Sequence, residues 1–476
     1  MTPRESDGAG MASPNATSGA GRTEVVIREP GPLRPPEGSL LGDSLHAWRR
    51  RTGAELGLSL LESALVVGAG HQATAWHPGI LAKSIRARVL AGAAGVPLLL
   101  VVDHDAYQPA SLRLPLASEA PGRLLEERWW HPLPAVQPGC AALSAPAGPP
   151  RHLPERLAEM AALPSVAAGA LSFHAALTAA AGEPNAAMQT AAAISASASR
   201  WMGDPVRVPA SRLLATTLGD ALLAAMRRDP RACAESFNRA LAAAPRAARR
   251  LDAGADPELP LWSLDPQGRR RRVRASDLAG AGGASASSAA PAGAASAGVT
   301  LLPRAFLLSA IARAALCDRF IHGLGAETYE RATDAWFRDW LGAELPPIGV
   351  VSATMRLPLP RHGGHPVLTP QDRRRAWWDP ERLDGTAPAG VKRAALERVE
   401  RAPRGSRERR QAYRHLQETL TGLRSARREA FVELDARVEE DAARASDAAL
   451  ADDRTWFSLL HEPSSLDGLA AMLATR

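Results

Sequence analysis

Hydrophobic positions along most of the chain fall either into short unbroken runs or into stripes spaced by three and four. Ser63-Ala64-Leu65-Val66-Val67-Gly68 is a short apolar run closed by glycine, and Val96-Pro97-Leu98-Leu99-Leu100-Val101-Val102 is a second. Runs that are apolar at nearly every position suit parallel strands covered on both faces. Between them, residues 79–94 place Ile80, Leu81, Ile85, Val89 and Leu90 on one helical face. Together they predict a βαβ unit of Rossmann type. A helix is predicted near Ser44–Gly57, with Leu45, Trp48 and Leu56 buried, and Val350-Val351-Ser352-Ala353-Thr354 reads as a further strand.

The pattern changes several times along the chain. Residues 1–37 are rich in Gly, Pro, Ser and Thr without periodicity and read as a disordered tail. Residues 38–385 form the expected Rossmann-like α/β core. Within it, the proline-rich stretch 108–150 reads as irregular connections. Residues 152–250 read as a mostly helical insertion, and the low-complexity stretch 278–299 as a disordered loop. An apolar helix beginning at Phe306 runs to a glycine-broken junction at Gly323 and Gly325. Residues 386–476 form a charged helical region. There Tyr413, Leu416, Leu420, Leu423, Ala430, Leu434 and Val438 recur mostly at three and four, interrupted by Arg427. That stripe predicts an amphipathic helix pair or coiled coil, serving a homodimer or packing within its own chain. The fold class expected is therefore α/β, a Rossmann-like parallel sheet core with helical insertions and a C-terminal α-helical coiled coil.

Composition narrows the class of protein. Hydrophobic residues are 46 % of 476, enough for a large core, but the aromatic share is 4 %. The core is therefore expected to be rich in small helical residues. The formal charge of +7 comes mainly from arginine spread along the whole chain. The run Arg269-Arg270-Arg271-Arg272 has no interleaved aromatic residue, so nucleic acid is not an expected partner. Cys140, Cys233 and Cys317 are far apart and odd in number, which argues against a disulfide framework and fits a reducing cytoplasm. Met1-Thr2-Pro3-Arg4-Glu5-Ser6 has no apolar signal-peptide core, and no stretch has the unbroken length of a membrane span.

Three clusters carry candidate chemistry. The first is Gly70-His71-Gln72-Ala73-Thr74-Ala75-Trp76-His77-Pro78-Gly79, between the first strand and its helix. Backbone amides at a helix start can hold an anion, and glycines admit close backbone approach. The register of Gly68, Ala69 and Gly70 is not that of the dinucleotide fingerprint, and the segment is no P-loop. His71 and His77 could neutralise phosphate charge, as the His-x-x-His cluster of nucleotidylyltransferases does, although their spacing here is six. The second cluster, Asp103-His104-Asp105, ends the second strand and could act as acid, base or orienting groups, or join the histidines on a metal; the pattern contains no spaced metal-ligand motif, and no metal is expected. The third is Asp318, His322, Glu327 and Tyr329 around Gly323 and Gly325. There is no nucleophile elbow of the G-x-S-x-G kind.

Read as an ordered set, these segments resemble bacillithiol synthase, the cysteine-adding enzyme family. That family carries Gly-Gln-Gln-(Ala/Pro)-Gly-Leu-Phe-Thr-Gly-Pro-Leu after its first strand; Gly70, Gln72 and Ala73 match it, Trp76 stands for its aromatic residue, and Lys83 lies two positions before its helix lysine. Asp103-His104-Asp105 is similar to the end of its Glu-Asp-His-Asp stretch. Gly323-Leu324-Gly325-Ala326-Glu327-Thr328-Tyr329 is similar to its Gly-Pro-(Gly/Ala)-Glu-Ile-Ala-Tyr. His71 and His77 depart from it, standing where the family has glutamine and threonine, and set this chain in a divergent branch reading Gly-His-Gln … His-Pro-Gly.

The resemblance implies a cytoplasmic, homodimeric ligase or transferase that joins a small thiol or amine compound, cysteine among the candidates, to an acceptor. A nucleotide, ATP or ADP, is the cofactor class it suggests. Asp103, His104, Asp105, His71 and His77 are the expected catalytic residues. Gly70, Gln72, Gly79, Lys83, His322, Gly323, Gly325, Glu327 and Tyr329 are the expected binding residues. Two alternatives stay open: a nucleotidylyltransferase-like enzyme, and a non-catalytic dimeric binding or scaffold protein.

Overall fold

The computed structural model describes residues 23–35, 37–58, 64–280, 300–364, 367–383 and 390–475. It is a mixed α/β structure built on one six-stranded sheet. The strands are β1 (Glu24–Arg28), β2 (Val66–His71), β3 (Val96–Val101), β4 (Val206–Pro209), β5 (Arg319–His322) and β6 (Ile348–Thr354). They lie in the order β1-β6-β5-β2-β3-β4. All neighbours pair parallel except β1, which runs antiparallel along β6 with Glu24 opposite Thr354. Counted among themselves, the five parallel strands follow the order 3-2-1-4-5, starting from the β4 edge.

Helices cover both faces of this sheet, as its unbroken apolar strands require. Among the helices of the chain are α1 (Leu45–Glu55), α2 (Pro78–Ala91), α3 (Ala305–Ala315), α4 (Ala326–Leu341), α5 (Val391–Arg401), α6 (Arg407–Ala426), α7 (Arg428–Asp452) and α8 (Pro463–Ala474), of which α5 and α6 pack on each other in a cluster of their own. Val67, Ala69, Leu99 and Val101 face one core with Leu81 and Ile85 of α2 and Leu466, Leu469 and Leu473 of α8. Val66, Leu98 and Leu100 face the other with Leu45 and Trp48 of α1, Phe306 of α3 and Trp336 and Phe337 of α4. Fully burying each such side chain contributes about 1.5–3 kcal/mol, so both cores hold the sheet's register firmly. Ser44 caps α1 by accepting from the Ala47 amide at 3.1 Å.

Several expectations change. The first strand extends through Gly68, Ala69 and Gly70 to His71, so the loop begins at Gln72. The mostly helical stretch 152–250 also contains β4. The stretch 108–150 contains a hairpin, Leu112–Ala117 with Leu125–Trp130, whose Leu112, Leu114 and Leu116 are buried. The basic run forms strand Arg270–Arg274, paired with Glu258–Leu264, which also pairs with Thr300–Pro303. What read as a glycine junction after the Phe306 helix contains β5. Most of the predicted tail and of the predicted loop 278–299, and Ser63 of the first run, lie outside the described residues; within the tail stretch Glu24–Arg28 is a strand.

In the C-terminal region the stripe is divided between α6 and α7, with the break at Arg427. Leu416 and Leu420 pack against Ala395 and Val399 of α5, so this part of the stripe is buried within the chain; Tyr413 is exposed. No helix among the described residues is long and apolar enough to cross a membrane.

Candidate functional site

The chain leaves β2 toward α2 on one face and leaves β5 toward α4 on the other, although the two strands are neighbours. Connections that part in this way open a crevice at the carboxyl ends of the strands, where open α/β sheets place ligands. Ile321 pairs with Ala69, which sets His322 of β5 beside Gly70 and His71 of β2.

Lys83 of α2 reaches the carboxyl end of β2. It is buried, and its Nζ donates to the Gly70 carbonyl at 2.8 Å, its one hydrogen bond among the described residues. Burial lowers its pKa to about 8, so the ammonium form still predominates at neutral pH.

Two imidazoles that feel this charge stand in complementary tautomers. His71 Nδ1 lies 3.0 Å from the Gln72 carbonyl, which can only accept, so Nδ1 carries the proton and Nε2 keeps its lone pair. Burial first, then the Lys83 charge, bring the His71 pKa down to about 3. His77 caps α2: its Nδ1 accepts from the Gly79 amide at 3.1 Å, so its Nε2 carries the proton. Burial, then the charges of Arg454 and Lys83, lower its pKa. The site thus offers an acceptor on His71, a donor on His77 and the Lys83 cation.

His322 is neutral too, held well below the usual imidazole range by burial and then by Lys83 and Arg313. Its Nδ1 accepts from the Tyr329 hydroxyl at 3.1 Å; its Nε2 lies 3.4 Å from Ser309 Oγ and 3.3 Å from Glu330 Oε1. Both nitrogens are engaged, so His322 and Tyr329 form a fixed wall. Glu330, raised by burial, is paired with the buried Arg313 at 2.7 Å.

The expected anion cradle of backbone amides is closed. Pro78 has no N–H, the Gly79 amide serves His77, and the Ile80 and Leu81 amides bond the His77 carbonyl. The Gln72 carbonyl takes His71, the Thr74 amide and Trp76 Nε1, which fixes the turn. The glycines have packing reasons. A Cβ on Gly68 or Gly70 would come within 3.0 Å of the Phe320 ring, and one on Gly79 within 2.8 Å of both the Ala353 carbonyl and the His77 ring. Gly323 and Gly325 border open space.

The Asp103-His104-Asp105 cluster divides. Buried Asp103 accepts from the Ser211 amide at 2.9 Å and its hydroxyl at 2.6 Å, tying the end of β3 to the turn after β4. His104 Nε2 lies 2.9 Å from the Pro303 carbonyl. Both thus tie neighbouring elements together through these contacts. Asp105 alone reaches the loop, accepting from Gln72 Nε2 at 3.0 Å and from Arg270 at 2.6 Å. Glu327 is half exposed and paired with Arg28 at 2.6 Å. Among the described residues no three His, Cys, Asp or Glu side chains are gathered as a metal would need.

Two features of the neighbourhood are not legible as motifs. Trp262 lies under Arg304 at 4.2 Å and Arg270 at 5.0 Å, which links part of the basic run to Asp105. Arg454, between α7 and α8, acts on His77. The chain matches no protein-family model and no curated protein.

Proposed function

We propose that the crevice between β2 and β5 is the active site of a Rossmann-like enzyme. It binds a small anionic substrate and joins a small thiol or amine compound, cysteine among the candidates, to an acceptor, as the resemblance to bacillithiol synthase implies. The observation that carries this reading is the Lys83 ammonium, buried with a single hydrogen bond and acting on two imidazoles of opposite hydrogen-bonding character. An unpaired buried cation costs several kcal/mol, which a ligand anion would offset.

In this reading Lys83 and the His77 N–H hold an anionic oxygen of the substrate. The His71 Nε2 lone pair receives the hydrogen bond, then the proton, of an S–H or N–H nucleophile as that nucleophile displaces a leaving group that the acceptor itself carries, the S–H or N–H bond and the acceptor's bond to its leaving group breaking as the new bond forms. A bound anion cancels the Lys83 part of what holds the basicity of His71 low, while the larger part, burial, stays. A nucleotide does not fit as the occupant: the α2 amides that would cradle its phosphates are bonded internally, and the glycine faces of β2 are filled by Phe320. The same observation disfavours nucleotidyl transfer. The resemblance also places a homodimer contact on α6 and α7, where Tyr413 and Val432 are exposed.

The test is product formation. The purified chain is incubated with cysteine and amino-sugar acceptors, and adducts are sought by mass spectrometry. A covalent adduct formed by the wild type and lost in Lys83→Met is expected; equal yields from both proteins would overturn the assignment.

A further inference from the structure

Arg454 lies in the turn between α7 and α8, far along the chain from the loop it approaches. Its neighbours on both sides are committed elsewhere. Asp453 accepts from Arg113 at 2.6 Å, and Thr455 Oγ1 accepts from the same nitrogen at 2.5 Å. The Thr455 amide and hydroxyl both donate to Asp453 at 2.7 Å. The Asp453 carboxylate is thereby occupied, and the turn is rigid.

The segment is also anchored to the site loop. The Ser458 amide and hydroxyl donate to the Trp76 carbonyl at 2.8 and 2.5 Å. Arg454 itself is exposed, and its one hydrogen bond among the described residues is a long one, 3.4 Å to Thr354 Oγ1. Thr354 ends β6 next to Ala353, whose carbonyl presses on Gly79, the residue capped by His77. A guanidinium is thus held at the crevice mouth on a fixed turn, with only a weak contact of its own.

We infer that Arg454 is a second cationic ligand of the substrate anion, gripping at the mouth what Lys83 holds inside. The inference rests on the anion-site reading above. Two cations at different depths select a small molecule with two separated anionic groups, a diphosphate or a dicarboxylate. A guanidinium adds two parallel hydrogen bonds that an ammonium does not.

Isothermal titration of the full chain with inorganic pyrophosphate and with succinate tests this. One probe is expected to bind the wild type, and which one assigns phosphate or dicarboxylate. Lys83→Met abolishes that binding. Arg454→Ala weakens it roughly tenfold, and Arg454→Lys loses less. Arg454→Glu loses more than the alanine variant. The wild-type affinity falls as salt rises from 0.05 to about 0.5 M, and the Arg454→Ala affinity falls less, because the exposed charge is the screened one. The Arg454 variants are expected to melt as the wild type does, since the Asp453–Thr455–Arg113 clamp is untouched. Wild-type affinity in Arg454→Ala together with loss in Lys83→Met overturns the mouth contact alone. Binding of neither probe to the wild type, or binding unaffected by both substitutions, overturns the anion site and the mouth contact with it.

Discussion

Lys83 Nζ donates to the Gly70 carbonyl at 2.8 Å, so a charge on the first crossover helix is drawn back onto the strand that precedes it. The bond fixes the cation where its charge acts on His71 and His77, but one carbonyl offsets little of the cost of burying an ammonium. Replacement by an isosteric apolar side chain is therefore expected to stabilise the protein. Lys83→Met gains ~1 kcal/mol at pH 7 in urea denaturation. A loss of similar size would make Lys83 a structural tie.

The same group gives the alkaline pH dependence a sign. Folded, Lys83 releases its proton near pH 8; unfolded, near 10.5. Between these values the unfolded chain binds more protons, so the stability contributed by this group rises with pH across the window and is lost as pH falls through 8. Denaturation at pH 7, 8.5 and 10 is expected to show this rise in the wild type and a flatter profile in Lys83→Met.

On the acid side His71 carries the prediction. Its folded pKa is about 3 against an ordinary 6.5. The unfolded chain binds more protons between these values, so acidification from 6.5 toward 3 destabilises the fold. His71→Gln keeps a donor for the Gln72 carbonyl and removes the titration. It should flatten the slope of stability against pH in that window by up to about one proton. An unchanged slope would mean that His71 is not the buried neutral imidazole described.

Gly79 and Gly323 separate packing from access. Gly79→Ala forces a carbon within 2.8 Å of the Ala353 carbonyl and the His77 ring, and should cost about 1–3 kcal/mol of stability. Gly323→Ala meets no atom within 4 Å and should leave the melting temperature unchanged while lowering ligand affinity. Thermal melts of both variants, with titration of the second, check the pair.

Asp103→Asn should cost about 1–3 kcal/mol, because one of the two Ser211 donors loses its acceptor, and should leave ligand affinity at the wild-type level. A selective loss of affinity at full stability would restore Asp103 to the site.

The βαβ unit was legible because Val66–Gly68 and Val96–Val101 are apolar without interruption and the helix between them carries a clean stripe. Strand β5 was not, since four residues containing Arg319 and His322 are too few and too polar to read as buried. Strand β4 is as short and ends at Pro209 among alanine-rich helices. The glycines misled because room for a ligand and room for the Phe320 ring leave the same residue in the sequence. The helix start is deceptive because the sequence does not show that His77 Nδ1 caps the amide that would otherwise meet an anion. Asp103 and Asp105 look equivalent along the chain; only the fold shows that one ties down Ser211 and the other faces Gln72. Arg454 had no local signal at all, because its proximity to His77 exists only in three dimensions.

The central claim, that Lys83 with His71 and His77 is the anion-binding core of an active site, is tested most directly by thermal shift. Wild type and Lys83→Met are melted with pyrophosphate, succinate, cysteine, amino sugars and nucleotides. The account predicts that at least one small anion raises the wild-type melting temperature and leaves that of Lys83→Met unmoved. No shift with any compound, or the same shift in both proteins, would contradict it.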